Sequence, residues 1–151
     1  MPYVKLAFAL LGLASTLVAA DPFAGTWKLN IAKSKFKTGT APKEQTVTVA
    51  EAGSDLDVTG SGTAADGSAL MSHFTLPAQG GEGKIIQGPF EAVSSKRMGP
   101  KEGEVRYSKG GKVVETEHCK ISADGKTLTC NAKWTDAQGK PGAGVAVYEK
   151  Q

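Results

Sequence analysis

The chain has 151 residues, 40% of them hydrophobic, with 19 glycines, two cysteines and a formal charge of +3. Its basic residues are mostly Lys and alternate with acids, which argues against a nucleic-acid footprint. The glycines are dispersed, which excludes a low-complexity tail and fits a chain that turns often.

Residues 1–20 read as a targeting segment. Lys5 supplies the one early charge, Leu6 to Val18 form a short apolar run, and Val18-Ala19-Ala20 offers a cut before Asp21, the three-part layout of a secretory signal peptide. The run is short for a membrane span, which takes roughly 20 residues. An uncleaved anchor is the alternative. Removal leaves one domain, residues 21–151, with a formal charge of 17 − 15 = +2. The expectation is an exported protein, periplasmic or extracellular, with no membrane span after cleavage and no nucleic-acid partner.

Beyond Asp21 no long stretch repeats apolar residues at helical spacing. Short runs of Val, Ile, Thr, Leu and Tyr recur between Gly, Asp, Asn and Pro, predicting strands over 25–29, 45–51, 55–64, 69–77, 83–87, 91–98, 103–108, 112–122, 126–134 and 143–149. The segment 30–43 fits either one helical turn or a connecting loop fringed by Lys33, Lys35 and Lys37. Asp66-Gly67 and Asp124-Gly125 suit tight hairpins. Gly53-Ser54, Gly80-Gly81, Gly110-Gly111 and the stretch 138–141 mark further reversals. Short links favour antiparallel neighbours, so the expected fold is all-β: an up-and-down meander of about 8–10 strands closing into a single barrel. Closure removes the exposed edges that would pair with other chains.

Cys119 and Cys130 are the only cysteines. If Asp124-Gly125 centres a hairpin, Cys119 faces Cys130 and Ile121 faces Leu128, so two pairings agree on one register. In an oxidising compartment a disulfide is the expected state. A two-residue turn makes this a hydrogen-bonded pair; a four-residue loop changes the ladder parity, and a three-residue bulged turn puts the sulfurs on opposite faces. The spacing is not Cys-x-x-Cys and no further cysteine exists, which disfavours a metal site.

At Phe23-x-Gly25-x-Trp27-Lys28-Leu29 the chain resembles the calycins, the lipocalin and fatty-acid-binding protein superfamily, whose first strand opens with Gly-x-Trp. The end, Val145-Ala146-Val147-Tyr148-Glu149-Lys150, resembles the last strand of fatty-acid-binding proteins. Overall the likeness is greatest to secreted bacterial lipocalin-like proteins of unassigned function. The resemblance implies that Trp27 lies across the barrel floor against a basic side chain, Lys150 or Arg106, with Gly25 letting the backbone pass under the ring. Trp27 as a plain core residue is the alternative. One departure bears on function. Fatty-acid-binding proteins clamp a carboxylate with Arg-x-Tyr in the last strand; Tyr148 matches the Tyr, but Ala146 stands in the Arg position.

Alternation points Leu70, Phe74 and Leu76 inward with Val47, Val49, Leu56 and Val58, and leaves Met71 and His73 outside. In the Cys119 strand the inward parity includes Glu115 and Glu117. Two acids inside a barrel require partners such as Arg106 or Lys96, or mark a polar cavity; a β-bulge near Thr116 that turns them outward is the simpler reading. His73 and His118 have no motif partner at metal spacing, and adjacent strand residues face opposite ways. There is no Gly-x-Ser-x-Gly, His-Glu-x-x-His or phosphate loop, so no catalytic residue, metal or cofactor is assigned. The expected function is a non-enzymatic, monomeric barrel that carries a small apolar or amphipathic ligand, with Phe74, Tyr107, Glu115, Glu117 and Tyr148 as candidate contacts. The alternative is a secreted interaction module, such as a protease inhibitor or envelope-associated protein, using loops near 30–43, 78–84 and 136–143. An enzyme using Glu115 or Glu117 is a third possibility.

Overall fold

A computed structural model describes residues 19–36 and 41–151. The expected targeting segment lies outside the described residues through residue 18, as does Lys37. The chain folds into strands β1 (Gly25–Leu29), β2 (Lys35–Phe36), β3 (Glu44–Ala52), β4 (Asp55–Thr63), β5 (Ala69–Pro77), β6 (Gly80–Glu82), β7 (Lys84–Gln87), β8 (Ala92–Gly99), β9 (Glu102–Lys109), β10 (Lys112–Ile121), β11 (Thr127–Thr135) and β12 (Pro141–Lys150). The described helical content is one 3₁₀ turn, Ile31–Lys33. All ladders are antiparallel, in the order β6-β8-β9-β10-β11-β12-β1-β3-β4-β5-β7, with β2 also on β12. The result is a nearly closed barrel whose eleven-strand path contains every strand expected from sequence. Of the segment 30–43, the described residues through Phe36 form the 3₁₀ turn and β2, which pairs Lys35 and Phe36 with Val145 and Gly144.

The meander departs from simple up-and-down pairing at its seam. The reversal expected at Gly80-Gly81 is a strand instead: β6 pairs with β8, whereas β7 pairs back onto β5. The two ends of the sheet are therefore joined through Gly83, the single residue between β6 and β7. Its amide donates to the Val93 carbonyl on β8 at 2.9 Å. A Cβ there would stand 2.2 Å from the Thr75 carbonyl oxygen on β5 and 3.0 Å from Val93 Cγ1. Only a residue without a side chain lets one kinked strand hold both sheet edges this closely.

The hairpin loops show how short polar side chains set register. At β10–β11 the Ser122 amide donates to the Thr127 carbonyl and the Gly125 amide to the Ser122 carbonyl, so the loop has four residues rather than two. The Cys119–Cys130 and Ile121–Leu128 registers survive, because lengthening a loop symmetrically by two keeps the same residues opposite. The parity changes, however. Cys119 and Cys130 form the closer, non-hydrogen-bonded type of pair, with Cα atoms 4.1 Å apart and a disulfide between them. At β4–β5 the loop is three residues, Ala64 to Ser68 being its bonded frame. In both loops the Asp is an acceptor rather than a plain turn former. Asp66 Oδ1 takes the Ser68 amide and hydroxyl, and Asp124 Oδ1 takes the Ser122 hydroxyl and Lys126 amide, as short Asx motifs do.

The core divides in two. One cluster joins Trp27, Leu29, Ile121, Leu128, Tyr148 and the disulfide. The other joins Phe74, Leu76, Val93 and Tyr107. The candidate site lies among their inward faces.

Candidate functional site

Strict alternation brings Val47, Val49, Leu56, Val58, Phe74 and Leu76 onto one inner wall. With Tyr107, Glu117, Leu128, Tyr148 and the disulfide they line an interior cavity of about 180 Å³. Leu70 is half-buried and Met71 exposed, as alternation requires. Phe74 and Tyr107 meet edge to face at 5.6 Å, and Phe90 stacks on Tyr107 at 4.7 Å. The wall is mostly hydrocarbon and aromatic.

Glu115 and Glu117 face inward. A bulge does interrupt the β9–β10 pairing, but between Val113 and Glu115, ahead of both acids. Beyond it alternation runs unbroken: Glu115 sits opposite Tyr107, Glu117 opposite Val105 and Cys119 opposite Gly103. A bulge re-aims only the residues it precedes relative to the earlier strand, so both acids share the face of the disulfide. This corrects the outward reading. The basic partners considered from sequence are also corrected: Arg106 is an outer residue bonded to Glu104 at 2.7 Å, and Lys96 is exposed.

The acids are partnered by other acids and a phenol. The Tyr107 hydroxyl donates to Glu117, and Glu117 in its protonated form donates to Glu115. Burial first, then the Glu115 charge and that hydrogen bond, pushes Glu117 up to about 8. Burial likewise raises Glu115, with the Glu117 hydrogen bond pulling the other way. Burial and the two acids raise the Tyr107 and Tyr148 phenols, so both stay neutral. Tyr148 donates to Gln45 Oε1 at 3.3 Å. Gln45 escaped the sequence reading of the site, although its parity with Val47 and Val49 carries the signal.

Around the start of β1 the chain segment 21–27 covers the barrel. Trp27 is 0% exposed, its Nε1 donates to the Phe23 carbonyl at 2.9 Å, and Lys150 Nζ lies 5.2 Å from its ring centroid. Lys150 stands directly across the ladder from Trp27, which selects it over Arg106. A Cβ on Gly25 would come within 2.7 Å of the Lys150 stem, so the glycine makes room for that cation. The sequence did not single out Arg97. Its guanidinium stacks 4.9 Å from the Phe23 centroid, pairs with Asp21 at 3.0 Å and donates to the Ala78, Gly99 and Pro100 carbonyls.

The histidines sit apart from the cavity acids, His73 bonded to Asp57 at 2.6 Å and His118 to Glu102 at 2.7 Å. Among the described residues the one grouping of metal-type ligands is Glu117 with Cys119 and Cys130, whose sulfurs are bonded to each other. Ala146, in the position where the related clamp has Arg, packs against the Trp27 cluster. No carboxylate-binding cation stands there.

No protein-family model and no curated protein sequence matches the chain. Solved structures do resemble it. A zebrafish ileal bile acid-binding protein, complexed with cholic acid, is similar over 86% of this chain and 99% of its own, at 14% identity and a TM-score of 0.51. Lobster apocrustacyanin A1 is similar over 86% of this chain and 61% of its own, at 12% identity and a TM-score of 0.46. At such identities the first likeness is one of fold alone: an antiparallel β-barrel.

Proposed function

We propose that this protein is an exported, non-enzymatic β-barrel that binds and carries one small apolar or amphipathic molecule, contacted by Phe74, Tyr107, Glu115, Glu117 and Tyr148. The observation that carries this reading is the interior cavity of about 180 Å³ with its apolar wall and clustered polar groups. A dry apolar cavity of about 150 Å³ holds benzene, and drug-sized ligands occupy roughly 300–1,000 Å³. The cargo is therefore about the size of one ring with a short substituent.

Export is supported by the sequence of residues 1–20 and by the disulfide. No described helix is long and apolar enough to cross a membrane. Cleavage before Asp21 is supported by how firmly that residue is held, its carboxylate on Arg97 and its backbone nitrogen 2.8 Å from Glu51 Oε1. In the mature, monomeric protein Gly25, Trp27 and Lys150 form the barrel floor.

Native mass spectrometry of protein purified from its own host tests the reading. A retained small molecule, released on unfolding, is expected. Protein that is empty as isolated, and whose cavity residues show no chemical-shift response to small apolar probes, refutes it.

A further inference from the structure

Two acids stand together in the barrel interior with no base beside them; Arg97, which also lines the cavity, is paired with Asp21. Glu115 and Glu117 stand on β10, with Tyr107 across the ladder on β9, Trp134 on β11 and, on β12, Tyr148 with its Gln45 partner from β3. Every titratable group acting on the two carboxyls is another acid or a phenol. The cations stand elsewhere: Arg97 on Asp21 and three carbonyls, Lys150 over the Trp27 ring, Arg106 on Glu104, and the exposed Lys96 and Lys133, which reach the cavity and groove margins, opposite Glu104 and Thr116 on the other face of their strands. Glu117 donates its proton toward Glu115, and a charge on the pair faces a mostly apolar wall with no basic side chain acting on it. Such a charge is costly unless something neutralises it.

The position of the pair suggests what does so. Glu117 borders the interior cavity, and Glu115 borders an open groove at the rim with Val113, Trp134 and Pro141. The carboxyls thus stand between the interior cavity and that groove, and the Phe74 and Tyr107 rings line the same cavity as Glu117. On the reading of the barrel as a small-molecule container, we propose that its cargo is a small organic amine, bound as the ammonium ion against Glu115 and Glu117 with its apolar part in the cavity. Carboxylate ligands are rejected by the same charge. A metal cation suits the site less well, since a hard ion needs six or more oxygen ligands, and around the two carboxyls stand two phenols, the Gln45 amide, carbon and a closed disulfide. A neutral alcohol leaves the charge uncompensated.

The amine also explains a direction of pH dependence. Ionisation of Glu117, held up to about 8, adds negative charge to the pair before an alkylammonium loses its own proton near 10. Affinity for the amine therefore rises with pH across that interval, and affinity for a carboxylate falls.

Chemical-shift titrations with benzylammonium, benzyl alcohol and benzoate, three probes of one size, test the inference at about pH 6.5 and about pH 8.5. Benzylammonium is expected to bind about tenfold tighter than benzoate or more, and to tighten at the higher pH. The double variant Glu115→Gln/Glu117→Gln, checked for folding by an unchanged backbone spectrum and a cooperative melt, is expected to lose the preference yet still bind benzyl alcohol. Benzoate or benzyl alcohol binding as tightly as benzylammonium, or a preference that survives in the folded double variant, overturns the amine assignment and leaves carriage standing. Failure of all three probes to bind overturns both. If the double variant does not fold, the wild-type comparison alone decides.

Discussion

Replacing Glu117 with Gln keeps the shape of the side chain and removes its ionisation, and its effect on stability follows from where the proton sits. In the unfolded chain Glu117 gives up its proton near 4.5; in the barrel, burial and the Glu115 charge hold it to about 8. Between those values the native state keeps a proton that the unfolded state has lost. Stability therefore falls as pH rises, by at most about 1.4 kcal/mol per pH unit. The penalty is absent below the lower value and complete above the upper one. From about pH 5 to about pH 7.5 it amounts to roughly 3 kcal/mol, a large share of a domain's net stability. Urea unfolding followed by tryptophan fluorescence at constant ionic strength reads it directly. With a slope of about 1–3 kcal/mol per molar urea, the wild-type midpoint should drop by roughly 1–3 M relative to the variant's. Ionisable groups remote from the Glu115–Glu117 pair are common to both proteins and cancel in that difference. Wild type and Glu117→Gln curves that run parallel across this interval refute the placement of Glu117 as a buried, protonated acid.

Trp27→Ala should cost roughly 3–5 kcal/mol in the same assay, because the ring is fully enclosed; Lys150→Met should cost about 0.5–2 kcal/mol through loss of the cation over that ring. An unchanged melting temperature for Trp27→Ala removes it from the floor. Gly83→Ala forces a methyl against the Thr75 carbonyl at the seam and should lower stability by about 1–3 kcal/mol, with faster amide exchange confined first to β6 and β7; uniform acceleration across the barrel contradicts the seam's special role. Once the chain is cut before Asp21, its new ammonium lies at Glu51 Oε1. Glu51→Gln should then destabilise the mature form by at most about 1 kcal/mol and the uncut form less. Equal effects in both count against a terminal ion pair.

The strands, their inward faces and the Cys119–Cys130 register were legible in the sequence because period-two alternation and hairpin symmetry are local properties. Turn types were less so. Asp124-Gly125 predicts a reversal, but whether two or four residues form it depends on which hydroxyl and amide the Asp side chain captures. The seam was not legible: β6, Gly83 and β7 are too short to signal their partners, and each edge is supplied by strands distant in the chain.

Sequence alone determined an all-β chain with alternating faces, a paired cysteine hairpin, a Gly-x-Trp first strand and a last strand with Ala146 where an Arg-x-Tyr clamp would have its Arg. Tertiary structure alone decided that the bulge precedes Glu115 rather than following it, so that both acids point inward, and that Arg97 and Lys150 face other partners. The physical reason is that alternation states only which residues share a face. Which side a face takes, and whether a charge upon it meets a counter-charge, depends on closure of strands that the sequence does not place side by side.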